Sequence, residues 1–231
     1  MRKNIEILIV LILIVADIGL MAQVKVEPGR LTIARLKYGG GGDWYSNPSS
    51  IPNLLNFLKE NLNCEVFPEE VRVGIMDNDF FGYPFLYLNG HGNVRFSDEE
   101  ILRLRLYLQS GGFLHADDNY GMDPSFRREI RRIFPDNMLV ELPFSHPIFH
   151  QAYQFPNGLP KIHEHDGKPP QGLGIFYNGR LVVFYTYECD LGDGWEDAAV
   201  HNDPEEKRSA ALKMGANIFL YALLQTNHTR K

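Results

Sequence analysis

Carboxylates and imidazoles crowd into four short stretches of this 231-residue chain: GGGGDWYSN (39–47), NGHGN (89–93), HADDNYGMD (115–123) and CDLGDGWED (189–197). The third is the densest, with His115, Asp117, Asp118 and Asn119 in five positions. Paired carboxyl groups can act as general acid and base on a glycosidic or similar bond. Adjacent ones can also divide the work, one facing a crevice while the other caps the following turn. A second chemistry is metal binding, by His91, His115 or His201 with Asp117, Asp118 or Asp190, ligand types that suit zinc or manganese. No HExxH or comparable spacing accompanies them. A third, an activated thiol or hydroxyl, needs a neighbouring base. The bend after GGFLHA carries neither Ser nor Cys, and Cys189 lacks the immediate helix start that would lower its pKa.

Other residues in these stretches are candidates for ligand contact. His91 stands between two glycines and can reach outward, with Asp43 as a further polar contact. Trp44 and Trp195 offer flat faces for a sugar, or pack loop onto loop. Gly39 to Gly42 match neither the P-loop nor the dinucleotide fingerprint and read as a tight turn under Trp44. His163 and His165, in a Pro-rich segment, read as solvated loop residues.

These residues need a frame. LTIARLKY (31–38), VRVGI (71–75), FLYLNG (85–90) and GGFLHA (111–116) are strand-like. LGIFYNGRLVVFYTYE reads as a hairpin, because Asn178 and Gly179 accept the positive φ of a two-residue turn. Ile51, Leu54, Leu55, Leu58 and Leu62 recur at helical spacing. Ser97 and Glu100 form a capping box before a helix over 98–109, and Asp123 and Pro124 open another. A last helix begins near Asp203 and Pro204 and turns Ala211, Met214, Ile218 and Tyr221 inward. The segment 136–170 is irregular and is expected to wrap the surface. Helices between strands predict an α/β fold, a largely parallel sheet with helices on both faces. All four polar stretches then follow strands and meet on one edge, where open α/β sheets bind ligands.

The ends and the composition narrow the class. Arg2 and Lys3 precede an apolar run over 7–16, the layout of a secretory signal that predicts residues 1–22 as a signal peptide and 23–231 as a single α/β domain. The expected location is periplasmic or extracellular, with membrane contact only through that segment if it is uncleaved. A net charge of −6 argues against nucleic acid as a partner. Cys64 and Cys189 can pair in an oxidising compartment or stay as separate thiols. No cofactor is expected.

RLKYGGGGDWY, FLYLNGHGN, GGFLHADDNYG, LPFSHPIF, GRLVVFYTYECDLGDGWED and KMGANIFLYAL, in that order, resemble the domain-of-unknown-function 4159 family. That family resembles the class I glutamine amidotransferase-like fold, including the ThuA-like trehalose-utilisation proteins. The resemblance implies a flavodoxin-like three-layer sandwich. In the amidotransferases an elbow Cys is the nucleophile, whereas this chain has Asp118 and Asn119 at that bend, so no amidotransferase activity is expected. Some family members form C-terminal parts of larger membrane-anchored proteins, which suits binding or assembly. The expectation is a module that binds a polar small molecule, a carbohydrate or an envelope protein partner. The alternative is a hydrolase using Asp and His, with or without a metal.

Overall fold

The computed structural model describes residues 31–228. The expected signal peptide lies outside them. Among the described residues, no helix is long and apolar enough to cross a membrane. Seven strands form one sheet in the order β2-β1-β3-β4-β7-β6-β5. They are β1 (Ala34–Lys37), β2 (Val71–Gly74), β3 (Phe85–Gly90), β4 (Phe113–Asp118), β5 (Val140–Glu141), β6 (Gln171–Tyr177) and β7 (Arg180–Tyr187). Strands β2, β1, β3, β4 and β7 are parallel. Strand β6 runs antiparallel to β7 and to β5. Asn178 (φ 48°) and Gly179 (φ 77°) make the turn between β6 and β7.

Six helices flank the sheet: α1 (Ser50–Leu62), α2 (Asp98–Gln109), α3 (Asp123–Ile133), α4 (Leu191–Gly194), α5 (Ala198–His201) and α6 (Glu205–His228). The core divides in two. Leu104 and Leu108 of α2 and Phe126 and Ile130 of α3 cover one face of the sheet. Leu54 and Leu58 of α1 and Met214 and Ile218 of α6 cover the other. Strands β3 and β4 are therefore buried throughout, as parallel strands between two helical layers must be. The Ser97–Glu100 capping box forms at α2. Arg105 of α2 reaches across to donate to the backbone oxygens of Arg132 and Ile133, satisfying carbonyls at the C-terminal end of α3.

Two expectations change. Strand β4 runs on to Asp118, so Asp117 and Asp118 are strand residues rather than turn residues. The segment 136–170 does more than wrap the surface. It contributes β5, and Ile148, Phe149, Leu159 and Ile162 are buried in the second core cluster with α6. Four apolar side chains in a polar stretch outweigh its irregular backbone, since each stabilises by ~2 kcal/mol once buried.

Arg35, at the centre of β1, is wholly buried. Its five N–H groups all have acceptors: Nε on Glu70, Nη1 on the Ser46 carbonyl and Asn89 Oδ1, Nη2 on the Asn47 carbonyl and Ser50 Oγ. That count matches the full donor capacity of a guanidinium. Arg35→Lys supplies three donors in a different geometry and leaves buried carbonyls unmatched. The expected loss is ~3 kcal/mol of unfolding free energy in urea titration. A loss below ~1 kcal/mol would show that the network is not structural.

Candidate functional site

The four polar stretches do leave the carboxyl ends of parallel strands and so share one edge of the sheet. Buried amides bind them together. Asn89, at the end of β3, donates to Ser46 Oγ at 2.8 Å and to Asn119 Oδ1 at 3.3 Å. Asn119, just after β4, donates to Asp193 Oδ1 at 2.6 Å, and Asn47 donates to the same oxygen at 2.5 Å. Asn47 does this from a left-handed backbone, φ 57°.

At the crevice between β1 and β3, where the chain order reverses, Asp43 meets His91. Its Oδ1 accepts the His91 backbone N–H at 2.6 Å and its Oδ2 lies 2.9 Å from His91 Nδ1. Partial burial pushes the Asp43 carboxyl up, but the His91 N–H and ring outweigh it and leave the carboxyl below its ordinary value. Trp44 is half-buried against the first core cluster and meets Tyr45 edge-on at 5.5 Å.

The residues at the end of β4 turn inward. Asp117 is fully buried and accepts from Thr186 Oγ1 at 2.5 Å, the Gly192 N–H at 2.7 Å and Tyr87 OH at 3.3 Å. A Cβ on Gly192 would collide with the Tyr87 hydroxyl, so only glycine lets that N–H approach. Burial pushes the Asp117 carboxyl up to about 7 despite the Thr186 bond. Asp118 accepts from the Tyr120 and Met122 N–H groups, both at 2.9 Å, which is turn and capping duty. Its carboxyl is raised by burial. His115 is fully buried beside Tyr87, Phe184 and Trp195, bonded through Nε2 to Thr186, and burial lowers it to about 3, so it is neutral. Trp195 is 1% exposed and donates to the Ala211 carbonyl. Neither His115 nor Trp195 presents a side chain to the crevice.

Chemistry gathers instead after β7. Glu188 (φ 60°) and Asp190 (φ 55°) both take the left-handed conformation, making a sharp corner into α4. Cys189 between them is buried, and burial holds its thiol well above the ordinary value. That excludes it as a ready nucleophile. Cys64 and Cys189 are both free thiols. The Cys189 carbonyl accepts the Ile162 N–H, and Glu188 pairs with Lys161 at 3.0 Å, so the corner holds the segment carrying His163 and His165. His165 Nε2 lies 2.5 Å from Asp190 Oδ2. His163 Nδ1 lies 3.0 Å from Asp193 Oδ2 and 3.4 Å from Asp190 Oδ2, and its Nε2 lies 3.0 Å from Asp203 Oδ2. Bonds to Asp190 and Asp193 push His163 up to about 10. Asp193 is raised by burial, but His163 and Asn47 lower it further. His201 Nε2 stands 3.7 Å from Asp193 Oδ2 and 3.5 Å from Glu196 Oε2.

Beside this cluster opens a cleft of about 350 Å³ lined by Asp118, Tyr120, Asp123, His165, Lys168 and Glu188, among others. The geometry thus joins Asp190 and His201 of the sequence candidates to Asp193 and Glu196, which were not candidates, to His163 and His165, expected as solvated loop residues, and to Asp203, expected only to open the last helix. The signal available was the HEH triplet at 163–165 opposite the acidic DLGDGWED run. Its Pro-rich surroundings suggested solvent.

Asp117 permits a pH test. Its folded pKa of about 7 exceeds its ordinary 3.8, so between those values the folded state keeps a proton that the unfolded chain has lost. Its contribution to stability is full below about pH 4 and falls as pH rises through about 7. Asp117→Asn removes that slope. The thermal midpoint of the variant, relative to wild type, should climb from about pH 4 to about pH 7. A constant offset would show that Asp117 ionises as it does in the unfolded chain.

No curated protein matched this chain at a significant level. The family model described as Domain of unknown function (DUF4159) matches residues 32–223, which include every strand and each residue of the cluster after β7. The chain therefore belongs to the DUF4159 family of domains of unknown function.

Proposed function

We propose that this is an exported domain that binds a hydroxyl-rich small molecule of carbohydrate type in the cleft beside β4 and β7. The frame is of the flavodoxin-like, class I glutamine amidotransferase-like kind. Tyr120 carries this reading. Its φ is 103°, it is half exposed, and its ring stacks on His165 with centroids 4.6 Å apart and planes 21° apart. A bulky residue at positive φ costs on the order of 1–3 kcal/mol and persists where its surroundings impose it, as at active sites, ligand clamps and switch regions.

The charges of the cleft support a neutral ligand. Lys168 pairs with Asp166, Glu188 with Lys161 and Asp123 with Arg127. Asp118 is bonded to backbone. The paired charges cancel and the remaining carboxylate, Asp118, is held by neutral donors, so the cleft offers no unpaired cation to an anionic ligand. It meets carboxylate acceptors, an ammonium donor and an aromatic face, the set that suits hydroxyls around an apolar ring face.

The test is a panel of mono- and disaccharides, screened by thermal shift and measured by calorimetry, on wild type and Tyr120→Gly. Glycine accepts φ 103° without strain. The thermal midpoint of Tyr120→Gly should hold or rise, while saccharide affinity falls at least about tenfold. A midpoint lower by ~5 °C or more with affinity intact would make Tyr120 a structural residue and overturn the reading.

The His165–Asp190 pair favours a second reading, hydrolysis. A carboxylate orienting an imidazole that lines an open cleft is the arrangement of a general base. Nitrophenyl glycosides are the probe. His165→Asn should cost about 100-fold or more in turnover while leaving binding within a few-fold. Wild type that binds but never turns over leaves the binding reading alone.

A further inference from the structure

His163, Asp193 and His201, brought together by the 159–170 segment, α4 and α5, do not line the cleft, and their geometry is of another kind. We infer that His163 Nδ1, Asp193 Oδ2 and His201 Nε2 form a binding site for one divalent transition-metal ion of the zinc class. This does not rest on the carbohydrate reading.

One donor atom from each of these three residues lies within 4.8 Å of the other two. A metal held by nitrogen and oxygen at ~2.0–2.1 Å in tetrahedral geometry sets its ligands about 3.4 Å apart. The His163–Asp193 separation of 3.0 Å and the His201–Asp193 separation of 3.7 Å straddle that value. Side-chain adjustments of a few tenths of an ångström bring both onto it.

The surroundings are those of a metal ligand set. A ligating imidazole is held through its other nitrogen by a carboxylate, and a ligating carboxylate through its second oxygen by donors. Here His163 Nε2 lies on Asp203, whose side chain is 9% exposed. Asp193 Oδ1 takes the Asn47 and Asn119 amides, which leaves Oδ2 turned to the two histidines. A separate observation comes from Asp190. Its Oδ2 lies 3.4 Å from His163 Nδ1, its side chain is 1% exposed, and its Oδ1 is buried with no hydrogen-bond partner. An unmatched buried carboxylate oxygen is costly. A cation bound at His163 Nδ1, 3.4 Å from the other oxygen of the same carboxylate, offsets that cost.

Two imidazoles and one carboxylate suit zinc in a three-ligand site that keeps a fourth position for water or a ligand atom. The His163 and His201 side chains, 25% and 30% exposed, leave that position open to solvent. The ion would also clasp two segments far apart in sequence, the 159–170 stretch and the 190–201 run that carries α4 and α5.

The experiment uses the chain without an affinity tag, stripped with chelator and then given Zn²⁺ or Co²⁺. We expect one ion retained per chain after gel filtration and a thermal midpoint raised by about 5 °C at saturating Zn²⁺. The Co²⁺ form should show the intense visible absorption of a four-coordinate centre. His201→Ala, a partly exposed and tolerant position, and His163→Ala should each weaken binding about 100-fold, and Asn119→Ala about tenfold or more. His150→Ala, remote from the cluster, should bind as wild type. Failure of the stripped chain to retain either ion would overturn the inference. So would retention that survives in the His163→Ala/His201→Ala double variant.

Discussion

A single guanidinium, buried in β1, holds the working edge of this protein together. Arg35 has no contact with solvent, and a charge in that position is tolerable only because all of its donors are matched and Glu70 is its counterion. Three of its acceptors belong to 46–50, where the loop after β1 enters α1, and a fourth is Asn89 at the end of β3. Asn89 passes the order on to Asn119, and Asn119 to Asp193. Each link fixes the rotamer of the next, so a chain of buried polar groups runs from β2's flank to the histidine cluster beside the end of β7. Such a network rigidifies when fully satisfied.

This arrangement explains why the loop after β4 looks like an enzyme elbow and serves another end. Asp117 and Asp118 point to opposite faces of the strand, as successive residues must. One holds the start of α4 and the other the start of the turn before α3. Both are consumed in positioning. The sharp corner with left-handed residues stands one strand over, at Glu188–Asp190, where the histidines gather.

Much of the frame was legible in the sequence because it rests on local rules. The Ser97–Glu100 box, the Asn178–Gly179 turn and the spacing of Ile51, Leu54, Leu55 and Leu58 are each decided within a few residues, and each appears where those rules put it. The convergence of four loops on one edge followed from strand direction alone. The histidine cluster was not legible in the same way. His163 meets Asp193 and Asp203, which are 30 and 40 positions away, and no local rule links them. Asp203 illustrates the difficulty: beside Pro204 it reads as the cap of the last helix, yet its carboxylate goes to His163. Burial also reversed roles. His115 and Trp195 have the chemistry of ligand contacts, but alternation along β4 and the close packing of α4 against α6 carry them inside.

The sheet ends in strands that discourage extension. On one side β5 has only two residues, both exposed, and one is Glu141. On the other side β2 has four, with exposed Arg72 tied to Glu70. A short edge marked by a charge is a poor template for another chain's backbone. Edge-to-edge pairing is thereby disfavoured at both margins of the described sheet, which lowers the tendency of crowded copies of this domain to zip into fibres.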